Sequence, residues 1–231
     1  MEFLAEGFRR AWALLVAGDS EVFGIAVLTL KVAVVATTIA CGAGLPLGYF
    51  LATRRFWGRR AALTVVNTAL AFPTVVVGLL VYSVLSRRGP LGNIGWLYTW
   101  QAIVLGDVLL ALPIAAALSA AALQGVDPRI RRTAETLGAG SWRTAWTVAR
   151  EARFALAAVI TAAFGQVVAE IGAALIVGGN IRGETRTLTT AVALYTSQGD
   201  FGMALALGLV LVMLALIVNI ALQLLQGRGS G

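Results

Sequence analysis

The 231-residue sequence has no histidine, a single lysine (Lys31) and a single cysteine (Cys41). Without histidine there is no imidazole general base and no histidine-containing zinc site. A lone cysteine inside an apolar stretch excludes an intrachain disulfide and leaves a thiolate metal site without further ligands. Charge is scarce as well. Only 13% of residues are charged and 59% are hydrophobic, whereas a soluble domain carries about a quarter charged residues. A Gly-x-x-x-x-Gly-Lys-Ser/Thr loop is missing, so the chain lacks that means of cradling ATP phosphates. The first 18 residues hold no continuous apolar core of the kind a cleavable secretory signal needs.

What is present suits a bilayer. A spanning helix needs about 20 apolar residues to cross roughly 30 Å of hydrocarbon. Five stretches qualify, over 22–52, 62–85, 99–123, 154–177 and 202–225. The expected fold is therefore an all-α integral membrane protein with a transmembrane domain over 22–226. The first stretch is long enough to tilt or project. Pro73 and Pro113 fall inside the second and third, where proline bends a helix. Ahead of the spans, 1–18 places Leu4, Phe8, Ala11, Trp12 and Leu15 at helical spacing, with Glu2, Glu6, Arg9 and Arg10 on other faces. That pattern predicts an amphipathic helix lying in the interface.

The net charge of +7 comes from arginines gathered in short connections, which is the positive-inside pattern and not a nucleic-acid footprint. Arg54, Arg55, Arg59 and Arg60 follow the first span; Arg129, Arg131, Arg132, Arg143, Arg150 and Arg153 follow the third; Arg228 follows the fifth. The other side holds Arg9, Arg10, Arg87, Arg88, Arg182 and Arg186. This bias predicts a multi-pass protein of the cytoplasmic membrane, N-terminus outside and C-terminus in the cytoplasm. Trp96, Tyr98 and Trp100 would then form an aromatic belt at the outer interface.

The connection over 124–153 is ordered in character. Asp127 can cap a helix that Pro128 begins. Ile130, Ala134 and Leu137 share a face before Gly138 ends it, and Ser141 starts a second run carrying Trp142, Ala145 and Trp146. The stretch Val126-Asp127-Pro128 through Thr133-Ala134-Glu135-Thr136-Leu137-Gly138-Ala139, then Trp142-Arg143, resembles the EAA loop of ABC-importer permeases. Arg132 and Thr133 stand where the family usually has Glu and Ala, and Glu151-Ala152 where many members have Leu-Pro. A second stretch, Gly178-Gly179-Asn180-Ile181-Arg182-Gly183-Glu184-Thr185-Arg186-Thr187-Leu188-Thr189-Thr190, is similar to the corresponding segment of tungstate and molybdate permeases. Its double glycine, its Leu-Thr-Thr and the later Gly199-Asp200-Phe201 favour the tungstate branch.

The resemblance implies a type I ABC-importer permease that works as a homodimer with separate ABC ATPase subunits and an extracytoplasmic substrate-binding protein. It implies a coupling role for Arg132, Thr133, Ala134, Glu135, Leu137, Gly138, Ala139 and Trp142. It also implies a gate over 178–200, with Asn180, Arg182, Glu184, Thr185, Arg186 and Thr187 as pathway candidates. Arginine forks and threonine hydroxyls suit an oxyanion on chemical grounds as well. The implied cargo is tungstate ahead of molybdate or sulfate. The chain itself would be no enzyme and would bind no cofactor, since ATP and magnesium belong to the partner ATPase. An ion-coupled secondary carrier is the alternative, using Asp107 or Glu170 for protons.

Three charges fall inside spans: Lys31, Asp107 and Glu170. Each lies eight or nine residues from the outer end of its expected helix, roughly 12 to 13 Å deep at about 1.5 Å per residue. An unpaired charge there costs at least about 2.5 to 3.5 kcal/mol. The shared depth predicts an ion pair between Lys31 and Asp107 or Glu170.

Overall fold

The computed structural model describes residues 20–54 and 56–227, with the backbone alone at 222 and 224–227, and five earlier positions, Ala5, Phe8, Arg9, Trp12 and Ala13. Apart from those five, the interfacial helix expected over 1–18 lies outside the described residues. The described chain forms α1 (Ser20–Thr53), α2 (Arg59–Ala69), α3 (Thr74–Leu85), α4 (Trp100–Gln124) and α5 (Pro128–Thr136). There follow α6 (Ser141–Glu151), α7 (Arg153–Val168), α8 (Gly172–Gly178), α9 (Leu188–Ser197) and α10 (Phe201–Gly227). A 3₁₀ turn, Gly92–Ile94, precedes α4. There is no strand among the described residues.

The bundle is organised on α1 packed along α4. Their shared face is built from small residues: Ala33, Ala36 and Ala40 on one helix, Ala111 and Ala115 on the other, all almost wholly buried. Lipid is as apolar as a side chain, so helices in a membrane adhere by close packing of small residues. Gly48 shows how close. A Cβ there would lie 1.9 Å from Ser119 Oγ and 2.7 Å from the Ala116 carbonyl, so only glycine fits. The hydroxyl of Ser119 is satisfied within the contact, donating to the Ala116 carbonyl at 3.2 Å. Helices α3, α7 and α8 close around α4, bringing Val77, Val81, Val167, Val168 and Val177 into one core. Helix α10 is peripheral, with Val212 and Ile217 about two-thirds exposed.

Three helices, α1, α4 and most of α10, are long and apolar enough to cross a membrane. Two of the expected spans, 62–85 and 154–177, are each divided into two helices. The first becomes α2 and α3, bent by 101°. Pro73 sits at the N-terminal boundary of α3, not inside a helix. It supplies no N–H and disfavours helical geometry at the preceding residue, so the chain turns there. The second becomes α7 and α8, separated at 169–171. At this break Glu170 Oε1 accepts the Ala173 amide at 2.9 Å, and the Glu170 carbonyl accepts the Thr189 hydroxyl at 2.8 Å. Side chains thus take over hydrogen bonds that a continuous helix would have made. The short helix α6 meets α7 at 78°.

Candidate functional site

The segment that follows α8 is wound tightly. Asn180 is left-handed (φ 51°). The Ile181 carbonyl accepts three amides, from Glu184 at 3.2 Å and from Thr185 and Arg186 at 3.0 Å. Thr185 is fully buried; its hydroxyl donates to the Gly178 carbonyl at 2.6 Å and accepts the Ile181 amide at 2.9 Å. Thr187 then caps α9 in a reciprocal box, its hydroxyl accepting the Thr190 amide at 3.3 Å while the Thr190 hydroxyl accepts the Thr187 amide at 2.9 Å. Asn180 reaches across to donate to the Thr190 carbonyl at 3.3 Å.

This frame presents Arg182 and Arg186 to the first turn of α1. Arg182 Nε donates to Glu21 Oε1 at 2.8 Å, and its Nη2 pairs with Glu21 Oε2. Arg186 Nη1 lies 3.5 Å from Glu21 Oε1, and its buried Nε has no acceptor. A cavity of about 280 Å³ opens here, lined by Ser20, Glu21, Gly24, Arg182, Gly183 and Arg186 among others. Two guanidinium forks around one carboxylate form a geometry that accepts an anion with paired oxygens. Glu184 is exposed beside them. Sequence reasoning grouped the two arginines but missed Glu21, 161 positions away from Arg182; no local signal marks it.

The α5–α6 module lies apart. Asp127 accepts the Arg129 amide at 2.8 Å, with Pro128 opening α5, as the capping chemistry requires. Gly138 ends the first helix at φ 81°, a conformation that penalises any residue with a Cβ. Beyond it the Ala139 amide donates to the Ala134 carbonyl at 3.0 Å. Arg132 and Thr133 line a depression of about 340 Å³ with Arg129, Thr136 and Leu137. Leu137, Trp142 and Trp146 are 82%, 80% and 65% exposed. These large apolar side chains are held out from a folded segment instead of packing into the bundle. Underneath, Val148 and Ala152 join Leu123 in a small core. Arg131, not singled out from the sequence, ties the module to α1: it donates to the Thr53 carbonyl at 3.0 Å and to Glu135 Oε1 at 2.9 Å. Its i,i+4 spacing to Glu135 was a readable signal; the link to Thr53 was not.

The expected ion pair of Lys31 with Asp107 or Glu170 is not formed. Lys31 is exposed, and its ammonium lies 3.7 Å from the centre of the Trp100 ring, a cation–π contact. Trp100 is the first residue of α4, seven residues and about 10 Å before Asp107 along that helix. The depth argument failed because α1, with 34 residues, is roughly 51 Å long and exceeds the hydrocarbon thickness. Asp107 and Glu170 are instead buried, 2% and 6% exposed.

Residues 44–229 match a family described as binding-protein-dependent transport system inner membrane component. The chain is 40% identical over 226 residues to the tungstate uptake system permease protein of Peptoclostridium acidaminophilum, covering 98% of this chain and 99% of that one. It is 38% identical over 219 residues to the protein of the same description from Campylobacter jejuni, covering 95% and 92%. Among solved structures, a bacterial ABC transporter involved in the import of the acidic polysaccharide alginate aligns with a TM-score of 0.66 at 16% identity, covering 94% of this chain and 83% of that chain. That last likeness speaks for the fold.

Proposed function

Because the chain belongs to the family of binding-protein-dependent transport system inner membrane components, we propose that it is the permease of an ATP-driven importer of a tetrahedral oxyanion, with tungstate as cargo ahead of molybdate. The observation that carries the cargo is the likeness, over nearly the whole of each chain, to tungstate uptake permeases. Two copies of the chain form the membrane unit, with the N-terminus outside and the C-terminus in the cytoplasm. An extracytoplasmic binding protein delivers the anion, and a separate ATPase binds ATP and magnesium and supplies the energy. This chain carries no nucleotide site of its own.

The α5–α6 module docks the ATPase. Leu137 and Trp142 enter its surface, Arg132, Thr133, Ala134, Glu135 and Ala139 border the contact, and Gly138 allows the break between the helices. The arginine loop faces the arriving anion on the other side. Arg182 and Arg186 take its oxygen pairs, while Asn180, Thr185 and Thr187 hold the loop in shape and Glu184 borders it. Glu21 holds the arginines when no anion is present. The Arg182 side of this contact is exposed, and exposed ion pairs contribute only about 0 to 1 kcal/mol, so a doubly charged oxyanion can compete with the carboxylate for Arg182 at little cost.

Proteoliposomes containing the chain, its ATPase and cargo-loaded binding protein test the proposal, with tungstate and molybdate supplied in separate runs. ATP-dependent tungstate accumulation that molybdate competes with poorly is the expected result. Uptake of either ion without ATPase would overturn the importer assignment, and equal uptake of the two would overturn the choice of cargo.

A further inference from the structure

With Lys31 at Trp100, two carboxyl groups lie in the centre of the bundle with no cation beside them among the described residues. Asp107 and Glu170 line one space of about 10 Å³, together with Thr29, Thr187, Thr189 and apolar side chains. No lysine or arginine borders it from α1, α4, α7, α8 or the start of α9. Asp107 Oδ1 is buried and has no hydrogen-bond partner.

The donors around that space are committed elsewhere. Thr29 gives its hydroxyl proton to the Ile25 carbonyl at 2.8 Å, and its oxygen accepts the Leu188 amide at 2.9 Å. Thr189 gives its proton to the Glu170 carbonyl at 2.8 Å. Thr187, 2.9 Å from Thr189 and 3.1 Å from Thr190, must then donate to one of these hydroxyls. One carboxyl oxygen of Glu170 takes the Ala173 amide. No threonine proton is left for Asp107.

Two buried carboxylates lining one small space cannot both stay charged without a counter-charge. Calcium or magnesium would need about six or more oxygen ligands. The space is about one water wide, and the threonine oxygens already accept or share protons. A proton needs only two oxygens. We infer that Asp107 and Glu170 hold one proton between them, forming a proton-binding site between α4 and the α7–α8 break. The proton resides on Asp107, because Glu170 is already an acceptor for the Ala173 amide. The pair then carries one negative charge instead of two in the middle of the bundle. This inference rests on the bundle's own geometry and holds whatever the cargo.

Infrared spectra of the full chain in lipid nanodiscs at neutral pH test it, comparing wild type with Asp107→Asn and Glu170→Gln. A carbonyl band of a protonated carboxyl is expected in the wild type, lost in Asp107→Asn and shifted in frequency in Glu170→Gln. Asparagine supplies the same donor, so Asp107→Asn should retain the wild-type unfolding midpoint while Asp107→Ala lowers it. A protonated-carboxyl band that is absent from the wild type, or unchanged in Asp107→Asn, overturns the inference. So does a midpoint that rises with added sodium or magnesium in the wild type and not in Asp107→Asn, which would put a metal cation in the space. If Asp107→Asn does not insert, Glu170→Gln decides alone: an unshifted band overturns the shared proton.

Discussion

Thr185 and Thr190 of the arginine loop are fully buried, whereas Leu137 and Trp142 of the α5–α6 module stand four-fifths exposed. Both segments are short connections between helices of the bundle, and both carry a motif on which the family resemblance rests. They hold those residues by opposite means. The loop is a closed system in which threonine hydroxyls satisfy backbone groups, so its shape is set within the chain. The module is positioned by a cap at Asp127 and a left-handed Gly138, and its largest apolar side chains are left exposed. Damage to the loop should therefore register first as lost stability, and damage to the module as lost coupling in a protein that is still folded.

The sharpest division comes from Leu137→Asp. A central apolar anchor in a protein interface is worth about 2 kcal/mol or more, so ATP-driven uptake should fall roughly 30-fold or further. The unfolding midpoint should not move, because the side chain is 82% exposed. A lowered midpoint would erase the distinction between the two regions. Next is Thr185→Val, which preserves shape but leaves the Ile181 amide and the Gly178 carbonyl without a partner. Stability should drop by about 2 to 3 kcal/mol, read as a lower unfolding midpoint in detergent, with uptake falling in proportion to the folded fraction. An unchanged midpoint would show that the loop is not self-supporting. Smallest is Arg131→Gln, which cuts the link to Thr53 at a half-exposed site and should cost under about 1 kcal/mol of stability. Its signature is the ratio of ATP hydrolysed to anion imported, expected to rise several-fold while the ATPase stays bound. A normal ratio would confine Arg131 to a structural role.

Local chemistry was the readable part. Asp127-Pro128 declares a helix start because cap and first residue act within one turn, and the apolar runs declare spans because burial in lipid needs no partner residue. The breaks were harder. Pro73 was visible, yet proline is compatible with a kinked span as well as with a 101° turn, and the neighbours decide between them. Glu170 gave less warning still, since the residues on either side continue the apolar pattern and the Thr189 hydroxyl that sustains the break comes from 19 positions later. Pairing was hidden for the same reason. Glu21 to Arg182 and Thr53 to Arg131 join residues 161 and 78 positions apart, and one sequence carries no record of such distances. The error over Lys31 was one of scale, because a helix longer than the bilayer has no fixed zero from which to count depth.

The length of α1 has a mechanical meaning. Its first turn holds Glu21 against the two arginines, and its last carbonyl, on Thr53, is held by Arg131 of the module. One helix of 34 residues, with Pro46 inside it, therefore touches both regions. Proline removes one hydrogen bond from the helix ladder, so Pro46 is the point at which this helix would flex. Were α1 to move as one body, the contact of the two arginines with Glu21 would follow the position of a part about 50 Å away.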